Sequence, residues 1–449
     1  MLRAGAWLLG SNMASQLLRL TSSLILTRLL LPEAFGLVAA VQTMYFALVM
    51  FSDLGVWQSV VKSPRGKEAL FLGTAMSVQL ARGTLLALIV LALAWGLHWS
   101  ALHAPFGSGT VYSDPRLPWM MAVFSISALL QGAESMHLAT AQRELHTRLL
   151  ARLELISQLA GLLVTVSLAY ATRSVWSLVA GTLAATSTRT LLSHWILPGT
   201  PVRPRWDHSC ALEIVGFGKW IFLSSVIGFA AGHGEKLLLG GTLPAASFGV
   251  FSIAALLLAA ITGLVSNLNA HLVFPSLSEA LRAGAVEAAR VYERVQRLAD
   301  AILGFIAGLC FTAGAWVVHL LYDARYADAG WMLQILGLGL LAIRFQVLEQ
   351  MMFARGKPAW VSAANGLRAV SLVVSIPLGY AWGGEHGAVL AVLLSQFAGW
   401  PAALTFKYRE GLLHRHSESV WPLSLAAGMM AGWTVDKLIV RAIGHGLAG

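Results

Sequence analysis

Long apolar runs recur along the whole chain and are separated by short connectors that carry most of the charge. A run of about 20 apolar residues is long enough to cross a bilayer as a helix. Twelve runs meet this condition, and a thirteenth is short and ends in charged residues, so it either spans or lies along the interface. The predicted helices are 6–31, 35–61, 69–97, 117–138, 150–171, 174–197, 214–232, 237–266, 298–321, 329–353, 359–383, 386–406 and, less clearly, 420–443.

The first apolar run contains a polar stripe. Asn12, Gln16, Arg19 and Ser23 recur at steps of four, three and four residues, so on a helix they lie on one face. The run closes at Pro32 to Gly36, where a proline and a glycine favour a tight reversal before the next run.

The sequence pattern of this first segment recurs 213 residues later. Eight of 36 positions are identical without a gap, including a Gly, a Trp, a Ser and a Phe-Gly pair. The matching positions are Gly5, Trp7, Ser11, Leu24, Leu26, Leu30, Phe35 and Gly36 with Gly218, Trp220, Ser224, Leu237, Leu239, Leu243, Phe248 and Gly249. The chain is therefore predicted to consist of two related halves.

Each half is predicted to contain six helices. An even number makes both halves enter the membrane from the same side, so they are parallel repeats that enclose a central cavity. The predicted fold is an all-α polytopic membrane protein with 12 to 13 transmembrane helices. The predicted division is an amino-terminal bundle at 1–197, a basic Pro-rich cytoplasmic linker at 198–213, a carboxy-terminal bundle at 214–410 and an extra helix and tail at 411–449.

Composition excludes several classes of protein. With 57% hydrophobic and 12% charged residues, the chain is not expected to fold in water. The formal charge of +10 lies in short connectors, where it sets membrane orientation, so no nucleic-acid binding is expected. The sequence contains no phosphate-binding loop, no metal-ligand spacing and no catalytic cluster, so we expect no cofactor, no metal and no enzyme activity.

The connectors predict a cytoplasmic amino terminus. With that orientation, the inside connectors contain 17 lysines and arginines and the outside connectors contain five. This asymmetry is what the positive-inside rule requires.

Four arginines lie well inside apolar runs. A charged side chain at such a position costs about 2.5–3.5 kcal/mol on an insertion scale if it faces lipid, so we expect these to face the bundle interior. The guanidinium fork suits phosphate oxygens, and several such arginines favour a polyvalent anion. The candidates are Arg19, Arg82, Arg344 and Arg368, with Asn12, Gln16 and Gln79 as polar neighbours.

Carboxylates in the same runs leave two alternatives open. Asp53, Glu134, Glu154 and Glu349 can pair with the arginines and hold helices together. Alternatively, Asp53 and Glu134 can bind a proton or a sodium ion and couple transport to a gradient.

Several short motifs together resemble a known family. They are Arg28 to Gly36, Phe51 to Gly55, Gln142 to Leu145, Phe217 to Trp220 and Phe274 to Ser278. In this order they are similar to the polysaccharide and oligosaccharide flippases of bacterial inner membranes. That family belongs to the superfamily of the multidrug and toxic-compound extruders and the peptidoglycan lipid II flippase. One departure is Glu235-Lys236, where the family usually has Asp before the basic residue.

This resemblance implies two six-helix bundles around a cationic cavity. It also implies that an undecaprenyl-diphosphate-linked oligosaccharide crosses from the cytoplasmic to the periplasmic leaflet by alternating access, for export of surface polysaccharide. Arg19 and Arg82 would hold the diphosphate, and Asn12, Gln16 and Gln79 would contact sugar or phosphate oxygens. The implied partners are membrane lipids, the lipid-linked substrate and other polysaccharide assembly proteins.

Two other classes remain as alternatives. A multidrug antiporter on the same fold would require acidic cavities. A membrane glycan polymerase or ligase would require a large outside loop, and no predicted outside connector exceeds about 20 residues.

Overall fold

The computed structural model describes residues 2–103, 109–413 and 418–446, and these ranges contain helices and no strand. The long apolar runs explain this, because a helix satisfies its own backbone hydrogen bonds where no water is available. The helices are α1 (Leu2–Leu29), α2 (Pro32–Phe51), α3 (Val56–Lys62), α4 (Ala69–His103), α5 (Arg116–Gly132), α6 (His137–Arg143), α7 (Thr147–Thr172), α8 (Trp176–Trp195), α9 (His208–Thr242), α10 (Ala245–Leu268), α11 (Phe274–Ala283), α12 (Ala285–Leu321), α13 (Ala329–Gly337), α14 (Leu340–Ile343), α15 (Phe345–Ala354), α16 (Pro358–Phe397), α17 (Trp400–Arg409) and α18 (Val420–Gly446).

The chain forms two compact units, Met1–Gly249 and Val250–Gly449. The first unit contains a core cluster in which Phe71, Met136 and Ile214 pack together. The second contains a cluster around Leu348, Met351 and Phe406. The six-helix division at 198–213 and the parallel repeat remain predictions.

Seven helical segments are long and apolar enough to cross a membrane by length and composition. The protein is therefore a multi-pass membrane protein, as predicted, whereas the count of 12 to 13 spans remains a prediction. The seven segments are Pro32–Phe51, Ala69–Ser100, Thr147–Thr172, Ala245–Ala283, Ala285–Leu321, Ala329–Ala354 and Pro358–Arg409.

The predicted boundary between the helices 214–232 and 237–266 was wrong. The sequence analysis ended a helix at 232 and began the next at 237, whereas α9 runs without interruption from His208 to Thr242. Glu235 and Lys236 lower the local hydropathy, but neither breaks a helix. The break comes at Leu243, whose backbone is extended (φ −86°, ψ 150°) because Pro244 follows it. Lys236 therefore lies in a helix and not in an outside connector.

Several predicted spans are interrupted where hydropathy gives no signal. The predicted helix 35–61 is divided into α2 and α3, and 117–138 is divided into α5 and α6. The predicted helix 329–353 is divided into α13, α14 and α15. The predicted break near 384 is present inside α16, where Gly383 and Gly384 leave the helical conformation.

The repeat-related glycines Gly36 and Gly249 contact each other within the first unit. A Cβ atom on Gly36 would lie 2.6 Å from the Ala245 carbonyl oxygen, and one on Gly249 would lie 1.8 Å from the Pro32 carbonyl oxygen. This close approach explains why both positions are glycine.

We expect Gly249→Ala to destabilise the protein by roughly 1–3 kcal/mol, because the added methyl group overlaps backbone that has no free space. Gly96→Ala is the matched control, since nothing lies within 4 Å of its Cβ position in α4. Thermal unfolding of the purified protein measures both. Equal stability of the two variants would contradict the close contact.

Helix α18 packs parallel to α12 through small residues spaced by four. Gly304, Gly308 and Thr312 in α12 face Ser424, Gly428 and Gly432 in α18, and a Cβ on Gly428 would lie 2.1 Å from the Phe305 carbonyl oxygen. Further along, the Trp316 indole donates to Asp436. Small residues at this spacing allow close helix approach in membranes. Because α12 is one of the candidate spans, this packing favours the spanning alternative for α18.

The parallel packing predicts that the two ends of α18 lie on opposite faces of the membrane. In a chain that lacks Cys210 and Cys310, a cysteine at Ser419 should react only from the face that carries the start of α12. A cysteine at Gly446 should react only from the opposite face. Membrane-impermeant thiol labelling of intact cells and of lysed cells measures this. Labelling of both positions from one face would show that α18 lies along the interface.

Candidate functional site

A polar cavity of about 290 Å³ lies among α3, α4, α5 and α8 of the first unit. Its lining combines charged and polar side chains with a few apolar ones. The residues that matter to its chemistry are Asp53, Trp57, Gln79, Arg82, Glu134, Thr186 and Arg189. Gln79, Arg82, Asp53 and Glu134, which the sequence analysis singled out, are therefore brought together in one place.

The break after α2 creates one wall of this cavity. Asp53 accepts a hydrogen bond from the Gly55 amide at 2.9 Å, and Gly55 takes the left-handed conformation (φ 65°) that starts α3. This local turn ends α2 and leaves its last carbonyl groups without helical partners. Arg82 from α4 fills this role, donating to the Val49 carbonyl at 2.7 Å and to Ser52 Oγ at 3.2 Å.

The break after α5 forms the opposite wall. Gln79, one turn before Arg82 in α4, donates to the Gln131 carbonyl at 2.9 Å. Thr190 and His194 of α8 contact the carbonyl groups of Leu130 and Ala133 at 3.0 and 2.9 Å. The polar residues of α4 and α8 therefore satisfy backbone groups that a broken helix would otherwise leave unpaired.

Arg189 is the charged residue that the sequence analysis missed. Its Nε donates to Glu134 Oε1 at 2.9 Å, and its Nη1 pairs with Glu154. The sequence contains a signal for this residue, because Arg189 is a charged residue inside the predicted helix 174–197. This geometry favours the structural alternative for Glu134 and Glu154, although ion coupling by Glu134 remains a prediction.

The pairing leaves Arg82 and Asp53 as the two cavity charges without a salt bridge in the described part of the chain. The Nη1 of Arg82 also makes no hydrogen bond to a described residue, whereas Nε and Nη2 are engaged. The lining contains two arginines and two carboxylates, so its formal charge is zero and the expected cationic lining is not found in this cavity. Arg82 is the cation of this cavity that forms no salt bridge with a described residue.

The polar stripe of α1 lies elsewhere. Arg19 is exposed, Asn12 and Gln16 are half-buried, and none of the three lines the cavity that contains Arg82. The joint clamp formed by Arg19 and Arg82 therefore remains a prediction.

Arg344, in the second unit, has a different environment. Its side chain is 3% exposed, and its Nε and Nη2 donate to the two oxygens of Asp300 at 2.7 and 2.6 Å. Its Nη2 also reaches Glu418 at 2.9 Å, and Glu418 in turn pairs with Lys407. This closed set of two cations and two anions supports the structural alternative for Arg344.

Arg368 lines a smaller cavity of about 30 Å³ together with Glu349, Gln396 and Trp400. The Trp400 Nε1 is buried there without a hydrogen-bond partner among the described residues. A cavity of this size and polarity has room for about one or two water molecules. The structure thus places Arg368 beside the carboxylate that the sequence analysis named, and its role in substrate binding remains a prediction.

The Gln142 to Leu145 motif packs against α3, the helix that follows the Phe51 to Gly55 motif. The Trp57 indole donates to Gln142, and Arg143 donates to the carbonyl groups of Val60 and Ser63 at 3.1 and 2.5 Å. Arg143 therefore caps α3, which follows the Phe51 to Gly55 motif.

Residues 25–331 match the family model described as polysaccharide biosynthesis protein. This match covers more than half of the chain. The chain belongs to this family. The resemblance stated from the sequence is thereby confirmed.

A membrane protein of the capsule (cps) region of Klebsiella pneumoniae, itself uncharacterized, is 20% identical over 409 residues, covering 88% of this chain and 79% of that protein. The family description names polysaccharide biosynthesis, and this relative is named by its place in a cps region.

Solved structures share the fold at low identity. The lipid II flippase MurJ in an inward closed conformation matches with a TM-score of 0.69 at 12% identity, covering 94% of this chain and 92% of that one. An inward-facing multidrug resistance transporter of the MATE family matches with a TM-score of 0.63 at 14% identity, covering 88% and 94%. A transporter of the same MOP superfamily from Pyrococcus furiosus gives 0.59 at 15% identity, covering 91% and 95%. The protein therefore has the fold of these transporters.

Proposed function

We propose that the protein is a flippase of the bacterial inner membrane. It carries an undecaprenyl-diphosphate-linked oligosaccharide from the cytoplasmic to the periplasmic leaflet by alternating access, for surface polysaccharide export. The family supports a carbohydrate substrate, and the fold supports transport of a lipid-linked molecule, as the name of MurJ states for that protein.

The observation that carries this proposal is the state of Arg82. Arg82 lines a polar cavity among the helices of the first unit and is held by Ser52 and the Val49 carbonyl, and its Nη1 makes no hydrogen bond to a described residue. Neutral oxygens position the group, and Asp53 of the same cavity interacts with its charge without forming a salt bridge. A diphosphate is the lipid-linked group that such a cation suits, because charge-assisted hydrogen bonds to phosphate are about twice as strong as neutral ones.

Gln79 extends the same cavity with an amide. Its Oε1 can accept a hydrogen bond from a sugar hydroxyl, because its Nε2 is already engaged with the Gln131 carbonyl. Diphosphate at Arg82 and sugar near Gln79 place the substrate headgroup in the polar cavity and leave its hydrocarbon tail in the bilayer.

Depletion of the protein tests the function in cells. We expect the lipid-linked glycan to accumulate in the cytoplasmic leaflet and to disappear from the periplasmic leaflet, measured with a membrane-impermeant glycan label. If the glycan reached the periplasmic leaflet normally but stayed unpolymerised, a membrane polymerase or ligase would be the better account.

A second candidate function has one observation in its favour. Asp53 lines the cavity and forms no salt bridge in the described residues, so this carboxylate could face a cationic small molecule. An exporter of such compounds would leave glycan unchanged on depletion and would increase drug susceptibility.

A further inference from the structure

A second cavity of the first unit lies at the start of the candidate span that contains α4. It has a volume of about 320 Å³ and is formed by α6, the first turn of α4 with Lys67 before it, and the segment at 198–205. The side chains that determine its charge are Lys67, His137, Glu144, Arg203 and Arg205. We call this cavity the basic pocket. It shares no lining residue with the cavity of Arg82.

The segment that carries Arg203 and Arg205 is fixed to the helices beneath it. The Arg205 amide donates to the Gly73 carbonyl at 3.1 Å, and Ser77 Oγ donates to the Arg205 carbonyl at 2.8 Å. Gly73 allows this approach, since a Cβ there would lie 2.9 Å from the Arg203 carbonyl oxygen. On the other side, His137 Nε2 contacts the Thr200 carbonyl at 2.8 Å.

Apolar packing holds the middle of the segment. Val202 packs against the core cluster that contains Phe71 and Cys210, and Pro198 and Pro201 restrict the backbone on either side of Thr200. The two arginine side chains therefore project from a fixed backbone and not from a flexible linker.

The charges of the basic pocket do not balance. Its one carboxylate, Glu144, pairs with Lys67 at 2.6 Å, and this hydrogen bond lowers the pKa of Glu144. Arg203 and Arg205 make no salt bridge to a carboxylate in the part of the chain that the structure describes. Two guanidinium groups thus line a concave site with two uncompensated positive charges.

We propose that the basic pocket binds a phosphate-bearing anion at the predicted cytoplasmic face, from an anionic phospholipid headgroup or a soluble phosphate ester. The two planar forks of Arg203 and Arg205 match phosphate oxygens, and basic pockets at this face of a membrane protein are suited to lipid headgroups. A connector whose basic residues only set the membrane orientation needs neither a pocket nor a backbone held by hydrogen bonds to the neighbouring helices, and this segment has both.

Two variants of equal charge separate the pocket from general surface charge. The pocket variant is Arg203→Gln with Arg205→Gln. The control is Arg282→Gln with Arg294→Gln, which removes two exposed arginines of the predicted cytoplasmic side in the second unit. Glutamine keeps a polar side chain at each position, and we expect the backbone hydrogen bonds of the segment at 198–205 to be unchanged.

The first arm of the test uses the full chain in nanodiscs of zwitterionic lipid, titrated calorimetrically with inorganic pyrophosphate. We expect binding to weaken by about tenfold or more in the pocket variant, which is about 1.4 kcal/mol or more, and to be unchanged in the control. Arg82 is intact in both variants, so any binding at that cavity contributes equally.

The second arm counts anionic phospholipids that remain bound in native mass spectra after extraction from mixed-lipid membranes. Loss of retained lipid in the pocket variant alone identifies a lipid headgroup as the source, and loss of pyrophosphate binding alone identifies a soluble ester. Equal behaviour of the pocket variant and the control in both arms would overturn the proposal.

Discussion

Replacing Arg344 by alanine is expected to destabilise the protein by roughly 3–5 kcal/mol. The change leaves the carboxylate of Asp300, whose side chain is 0% exposed, without the two hydrogen bonds at 2.7 and 2.6 Å that compensate its burial. Gln296 also donates to Asp300 at 2.7 Å, but an amide does not neutralise a buried charge. Thermal unfolding of the purified protein measures the loss.

The double variant Arg344→Met with Asp300→Leu should recover much of that stability. It removes both buried charges together, and Glu418 retains Lys407 as its partner. Arg290→Ala is the surface control. Arg290 pairs with Glu287 and its side chain is 70% exposed, so we expect the free energy of unfolding to change by no more than about 0.5 kcal/mol. Similar stabilities for Arg344→Ala and Arg290→Ala would rule out the structural role of the buried pair.

Replacing Arg82 is expected to abolish or strongly reduce glycan export. Arg82 caps the carbonyl end of α2 and lines the cavity, so it has two proposed roles. Alanine removes both roles. Lysine keeps a positive charge near the Val49 carbonyl but loses the planar fork, so it should keep the fold and still transport poorly.

Export and protein amount should therefore be measured together. For Arg82→Lys we expect at least about a tenfold loss of export, the equivalent of one charge-assisted hydrogen bond of about 1.5–3 kcal/mol, at normal protein amount. Arg189→Lys is the matched control within the same cavity, because Arg189 is engaged with Glu134 and Glu154. If Arg82→Ala lost protein, and Asp53→Asn restored it together with export, Arg82 would be structural.

The sequence predicted the fold class because its apolar runs have the length that a bilayer requires. It did not locate the breaks after α2 and α5, because a hydropathy window averages over four-residue interruptions. The turn at Asp53 and Gly55 has a sequence signal of its own, an Asx residue two positions before a glycine. This signal covers only three residues, so the apolar residues on both sides outweigh it in a hydropathy window.

The candidate site was predicted in part. Arg82 and Gln79 were found because a charge and an amide three residues apart stand out in an apolar run. The partners of Arg344 were missed because Asp300 lies at the edge of its predicted span, and Glu418 lies outside any predicted span. Pairing depends on which helices meet, and single-helix periodicity does not contain that information.

The most direct test of the proposed function is translocation by the purified protein in vesicles that contain an undecaprenyl-diphosphate-linked oligosaccharide. A membrane-impermeant label reports the glycan that reaches the opposite leaflet. We predict faster translocation than in protein-free vesicles, a rate reduced by about tenfold or more in Arg82→Lys, and an unchanged rate in Arg290→Ala. A translocation rate equal to that of protein-free vesicles, or a wild-type rate in Arg82→Lys, would contradict the account.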